Sequence, residues 1–313
     1  MPMQLAHVAP AWSQEEIRLL ARTAHALMMS KDGDKREALR FLECAAAAGD
    51  RDAQMSLGLL LARMDISGQR SDTLGGIANY KEAIRWLSLA ADQGMEKAWY
   101  AISRIYQKAE FSQRSLSQSH AYLCKAASAG YHVAQRELGM LVWRTRKGDA
   151  SRDVLALYWL HKAASQGCGE AAVQLKKLAS CPQPAAWALE AQRQLAQHAF
   201  KVPLVLNARI ALAARFGLSL PEALLIDVAA ADRGHCLLVD IRSEYARGRR
   251  RLILVDGDED RAEVDRIVHS LEGFDCGPGG PEGRYRQRLY RLKKLVPDWS
   301  AVQRTLKGDS ADA

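Results

Sequence analysis

Four stretches of this chain repeat one frame of residues, and that frame constrains the fold more than any other feature. FLECAAAAGDRDA, WLSLAADQGMEKA, YLCKAASAGYHVA and WLHKAASQGCGEA each hold an aromatic, a Leu and two alanines. A Gly follows three residues after the second Ala, and another Ala four further on. The frame glycines Gly49, Gly94, Gly130 and Gly167 are spaced by 45, 36 and 37 residues. A period of this size marks stacked supersecondary units, none of which can bury its apolar face alone. The architecture expected is a solenoid, which presents a binding surface.

Each unit reads as a pair of helices. In SRDVLALYWLHKAASQGCGEAAVQLKKLA, residues Ala156, Trp159, Leu160, Ala163 and Ala164 fall at the spacing of one helix face. Gly167 supplies the left-handed conformation that ends a helix at low steric cost. Ala171, Leu175 and Leu178 then restart the spacing in a second helix. Paired alanines, with no bulk beyond Cβ, let the two helices approach closely. The aromatic (Phe41, Trp86, Tyr122, Trp159) is expected to fill the gap to the next unit.

Helix starts repeat too. Asp34, Asn79 and Ser115 stand fifteen residues before a frame Gly, with Glu37, Glu82 and Gln118 three residues on. That is the capping-box pattern, in which each side chain satisfies a backbone N–H of the first turn. Ser13 and Glu16 carry it as well, ahead of a leading helix that caps the array. The fourth unit lacks it, because Val154 stands three after Ser151. The nine extra residues between the first two glycines fall in DISGQRSDTLGGIAN, read as an elongated solvated loop.

The 313 residues allow about two domains. A net charge of +8 fits an acidic partner but is too slight for a dedicated nucleic-acid binder. No apolar run approaches the roughly 18 residues of a membrane span, and MPMQLAHVAPAWSQEE does not read as a secretory signal. Six cysteines without paired spacing read as reduced thiols of a cytoplasmic protein.

The pattern aromatic-Leu-x-x-Ala-Ala-x-x-Gly-x-x-x-Ala-x-x-x-Leu-Gly resembles the Sel-one-like repeat, a short relative of the tetratricopeptide repeat, over roughly residues 34–180. Leu57-Gly58 and Leu138-Gly139 match its late pair, whereas Ile102-Ser103 and Leu175-Lys176 depart from it. The resemblance implies a right-handed α-superhelix whose first helices line a groove. It also implies an adaptor or scaffold role in bacterial signalling, envelope or secretion systems, without catalysis by the repeats. Some exported members of that family close a disulfide within each repeat. This chain has at most one cysteine per unit (Cys44, Cys124, Cys168), which supports reduced thiols. With first helices facing a groove, the candidate partner-binding residues are Arg40, Arg85, Lys125, Tyr158, His161 and Lys162. Their basic members suit a protein or peptide of acidic character.

After Leu178 the frame is lost. CPQPAA breaks the pattern, and residues 187–200 read as a helix closing the solenoid. Asn207 to Phe216 and PEALLIDVAAA read as two helices, HCLLVDI and RRLILVD as an antiparallel strand pair, and DEDRAEVDRIVHSLEG as a helix with acids at its start. The fold class expected is therefore mainly α: a helical-repeat solenoid over 13–200, then a small α+β domain (α-α-β-β-α) over 203–275. Residues 276–313 read as a Gly-rich linker, a basic helix and a tail.

LAARFGLSLPEALLI has the spacing of a helix-turn-helix, but the outward positions Ser219, Leu220, Leu224, Leu225 and Val228 offer nothing to base edges. LILVDGDED lacks the later acids of a receiver site and the Gly and Glu of a calcium loop, so helix capping explains its acids. Cys276 sits in a Gly-rich loop that would leave its thiol exposed. A basic patch is expected from Arg249, Arg250 and Arg251 with Arg284, Arg286, Arg288, Arg291, Lys293 and Lys294. No catalytic motif, metal site or cofactor is expected. The function expected is a non-enzymatic adaptor; the alternative is a nucleic-acid-associated regulator using the basic C-terminal segment and the helix-turn-helix-like element.

Overall fold

The computed structural model describes residues 12–30, 33–71, 77–197, 202–277 and 280–309. The expectations for the first eleven residues, for 72–76 of the insertion, for 198–200 at the end of the helix read over 187–200, for the middle of the Gly-rich linker and for the last four residues fall outside these.

The repeat frame folds as helix pairs. After α1 (Gln14–Met29) come α2 (Lys35–Ala47) with α3 (Arg51–Ala62), and α4 (Tyr80–Asp92) with α5 (Glu96–Ile105). α6 (Leu116–Ser128) with α7 (His132–Arg144) and α8 (Ala150–Ser165) with α9 (Gly169–Leu178) complete the four. The frame glycines stand just past the first helices with φ of +97°, +85°, +110° and +86°. A Cβ at any of them would meet nothing within 4 Å. Backbone sign rather than space therefore selects glycine there. Ala45, Ala90, Ala126 and Ala163 are fully buried.

Asp34, Asn79 and Ser115 accept first-turn N–H groups at 2.8–3.3 Å. The reciprocal bond of a full box forms at Ser13, whose N–H donates to Glu16 at 2.8 Å. Glu82 instead turns to Arg85, at 2.8 Å. The fourth unit is capped after all, by Asp149 accepting from Ser151 N–H at 2.9 Å. Asp149 lies 18 residues before Gly167 rather than 15. Accordingly α8 has 16 residues where α2, α4 and α6 have 13, close to one extra turn.

The chain divides into two compact units, Met1–Leu138 and Gly139–Ala313. In the first, one core gathers Ile17, Ala24, Leu42 and Leu57, and a second gathers Leu87, Ala98, Ile102 and Ile105. Each fully buried Leu or Ile contributes about 1.5–3 kcal/mol. The frame aromatic links units by reaching back: Trp86 packs against the first core and Tyr122 against the second. Gly58 of the late pair lets α3 meet α4, since a Cβ there would stand 2.6 Å from Leu87 Cγ. Two buried amides occupy one frame position: Gln54 donates to Ala46 O and Gln135 to Ala127 O, both at 3.1 Å.

In the second unit, Gly139 stands in the same relation to Leu160, at 2.9 Å. The core of α8 and α9 (Leu157, Leu160, Ala163, Leu175) is completed by Cys236, Leu252 and Leu254. These belong to β1 (Cys236–Val239) and β2 (Arg251–Leu254), antiparallel with Cys236 opposite Leu254, and Ser180 adds a parallel bridge to Ile253. A larger core joins α10 (Ala186–Gln197), α11 (Leu204–Phe216), α12 (Leu220–Leu225), α13 (Val228–Ala231), α14 (Asp258–Ser270), α15 (Tyr285–Leu295) and α16 (Trp299–Asp309). The helix read as closing the solenoid, α10, packs on α11 and α16. WSAVQRTL is a full helix, α16, with Val302 buried, rather than a short turn.

Candidate protein-binding face

The core-facing stripe of each first helix fixes which residues look outward. With the frame Leu and alanines buried, positions nine and five before the frame Gly lie on the opposite side. Arg40, Arg85 and Lys125 are exposed, Tyr158 is 39 % exposed, and His161 and Lys162 are half-buried.

The cations lie on aromatic faces. The Arg85 guanidinium is 5.3 Å from the Trp86 ring centre. Lys125 Nζ sits 4.7 Å from Trp99 and 4.9 Å from Tyr122. Lys162 Nζ sits 5.7 Å from Tyr158 and 5.9 Å from Trp159. Tyr122 is stacked between Trp99 (5.7 Å, 20°) and Tyr106 (5.5 Å, 9°). Three of the four first helices therefore present a cation held over a ring. The ring steadies the charge, and N–H donors remain for a carboxylate. The sequence reading missed Trp99 and Tyr106, although their spacing of seven in EKAWYAISRIYQK puts both on one face of the chain leaving α5.

In the fourth unit the strand pair borders this face. His235 lies edge-on to Tyr158 at 5.7 Å, and its Nε2 is 3.0 Å from Val154 O. Burial pulls the His235 pKa down, against the helping carbonyl. His161 Nε2 is 3.5 Å from an Asp256 oxygen. Leu157, ten before the frame Gly, is fully buried beside the strands. Leu39 and Ile84 hold that position in cores on which the next unit's aromatic packs. The strand pair thus covers a position that a following repeat would otherwise cover. Lys176, which replaces the late Gly, is exposed.

The nine expected basic-patch residues do not form one surface. Arg288 is buried at 2 % exposure and donates to the carbonyls of Gly283, Leu224, Cys276 and Gly277. Arg291 bonds Glu282 O, Arg251 bonds Glu222 and Gly217 O, and Arg250 bonds Gly148 O and Asp153. Lys293 lies over Trp299 at 5.5 Å. Arg249, Arg284, Arg286 and Lys294 are exposed. An unanticipated cluster pairs Glu282 with the fully buried Arg209 at 2.6 Å, with Arg288 3.6 Å away.

Cys276 is buried, not exposed, and burial pushes its thiol pKa up; the expected exposure fails because Arg288 pulls the loop carbonyls inward. Leu220, Leu224, Leu225 and Val228 of the helix-turn-helix-like stretch are buried too, so α12 has no free face to read bases. Glu222 is held below the ordinary carboxylate range despite burial, by Arg251 and the Ser219 N–H. The acids after β2 start α14, where Asp260 bonds Arg215 at 2.6 Å. Among the described residues no cluster of three or more His, Cys, Asp and Glu is placed to hold a metal ion, and no helix is long and apolar enough to cross a membrane. All six cysteines are free.

The Sel1 repeat matches residues 22–50, 68–95, 98–131 and 132–168, so the chain carries four Sel1 repeats. Each matched stretch closes one residue past a frame glycine, and the first begins at residue 22, so it takes in the second half of α1, a helix expected only as a cap. Similar solved structures include a Sel1 repeat protein from Oxalobacter formigenes (27 % identity, TM-score 0.40, covering 50 % of this chain and 62 % of that one). Another is a protective antigen of uropathogenic Escherichia coli displaying an SLR fold (18 %, 0.42, covering 90 % and 56 %). A Pseudomonas aeruginosa protein also aligns (17 %, 0.33, covering 85 % and 86 %). The chain thus spans less than two thirds of the first two proteins. No curated protein matches it.

Proposed function

We propose that this chain is a non-enzymatic adaptor of the bacterial cytoplasm whose first-helix face holds an acidic segment of a protein partner. Sel1 repeats suggest a protein-interaction scaffold. The observation that carries the finer reading is the pair of ring-held cations in the first compact unit, Arg85 and Lys125. A cation fixed over an aromatic loses less freedom on meeting a carboxylate than a free side chain does, so the contact is partly preorganised. Arg40 adds an exposed cation on α2 of the same compact unit. The helices beyond the array gather a further core and are available for another contact.

The test is selection of displayed random peptides by the intact chain. Enrichment of Asp- and Glu-rich sequences that compete for one site supports the reading. Failure to enrich acidic sequences overturns it.

A further inference from the structure

A cavity of about 270 Å³ in the first unit opens between α1 and α3. Its wall includes His25, Met28, Met29, Ser56 and Met64. His25, Met28 and Met29 stand at i, i+3 and i+4 on α1 and so share one helix face. Met64 approaches from the end of α3 and is buried, whereas Met29 is 84 % exposed, the highest exposure of any large apolar residue on a described helix. Ordinary packing explains Met64. Met28 is half-buried, and Met29 is left largely in water beside the histidine.

The histidine is oriented as a ligand would be. Its Nδ1 lies 2.9 Å from Ala21 O, a carbonyl that can only accept, so Nδ1 carries the proton. Nε2 is then the unprotonated nitrogen, and it faces the Ser56 hydroxyl at 3.1 Å on the cavity wall. A backbone carbonyl fixing one ring nitrogen is the usual second contact of a metal-ligating histidine, and the Ser56 hydroxyl that Nε2 now accepts from is the bond an incoming ion would replace. Three thioethers with one imidazole form a soft, uncharged donor set. Such a set prefers Cu(I) to the harder divalent ions, which want carboxylates or more imidazoles. The geometry points to a Cu(I) site built from His25, Met28, Met29 and Met64, with Met29 the arm that folds over the bound ion. The assignment is independent of the adaptor function.

The experiment uses the full chain, with its accessible thiols alkylated first because Cys44 and Cys181 are exposed and thiolates would compete. Methionine methyl groups are labelled with carbon-13, and Cu(I) is added anaerobically against a chromogenic Cu(I) chelator. At one equivalent the Met28, Met29 and Met64 methyl resonances should move together while Met55 and Met140 stay. Met28→Leu with Met29→Leu keeps apolar volume and should weaken retention against the chelator by more than about tenfold. Met29→Leu alone, at an exposed position that cannot unfold the unit, should weaken it in the same direction. Copper retained without movement of those three methyls, or no retention at all, overturns the site.

Discussion

Arg250 Nη2 lies 2.8 Å from the Asp153 carboxylate, fastening the arm before β2 to the turn by which α8 exceeds the other first helices. Arg146 Nε stands 3.1 Å from the other oxygen. Burial nevertheless holds the Asp153 pKa above its ordinary value, the guanidiniums only partly offsetting it.

An acid with a raised folded pKa favours the folded state at low pH and loses that contribution as pH rises through the carboxylate range. Asp153→Asn should therefore change stability at pH 7 by no more than about 1 kcal/mol, and can increase it. Arg250→Ala leaves the buried charge with one partner and should cost about 1–3 kcal/mol. Urea unfolding of both variants gives the comparison; an Asn variant weaker than the Ala variant contradicts it.

Ser103 occupies the frame position of Gly58 and Gly139, fully buried, with a hydroxyl that meets no partner. Ser103→Ala removes the stranded hydroxyl and should raise stability by about 1 kcal/mol. Gly58→Ala drives a Cβ to within 2.6 Å of Leu87 Cγ and 3.2 Å of Ala83 O. It should cost about 1–3 kcal/mol. Opposite shifts in melting temperature are expected, and equal shifts would refute the frame equivalence.

The lowered pKa of His235 makes a pH prediction for the second unit. Its unfolded form binds a proton more readily than its folded form. Stability is then full above the ordinary histidine pKa, about 6.5, and falls as pH drops below it toward the folded value. His235→Gln keeps a donor for Val154 O but does not titrate. Hydrogen exchange in β1 should accelerate between pH 7 and pH 5 in the native chain and change less in the variant. Equal acceleration in both rules out His235 as the cause.

Thiol chemistry checks the burial map. Cys44 and Cys181 are exposed, whereas Cys236 is buried with its pKa pushed up to about 12. A disulfide reagent should modify Cys44 and Cys181 quickly and leave Cys236 and Cys276 until denaturant is added. Rapid native-state modification of Cys276 would restore the exposed-loop expectation.

The array was legible because each of its signals is local: a Gly that needs positive φ, alanines that need closeness, a polar cap at fixed distance. The second unit was less legible because its burial depends on contacts far apart in sequence. Part of the signal was nevertheless present. Tyr285, Leu289 and Leu292 define a stripe on α15, and Arg288 stands at the missing i+3 position of that stripe, which predicts burial rather than a surface charge. Arg209 lies likewise between Leu206 and Ala213 on the core face of α11. Nothing local announces that Glu282, 73 residues on, would receive it. The candidate face divides the same way, since Arg85 and Lys125 and their rings Trp86 and Tyr122 follow from the frame, whereas Trp99, the second ring under Lys125, comes from the neighbouring helix α5.

The most direct measurement is the affinity of an acidic peptide, chosen by the intact chain, for that chain and for the Arg85→Glu, Lys125→Glu double variant, each at low and high salt. Loss of binding by about tenfold or more in the variant, with native binding weakened by salt, is the expected result. Equal affinity in both proteins, with circular dichroism unchanged, would mean that the ring-held cations are not the binding face.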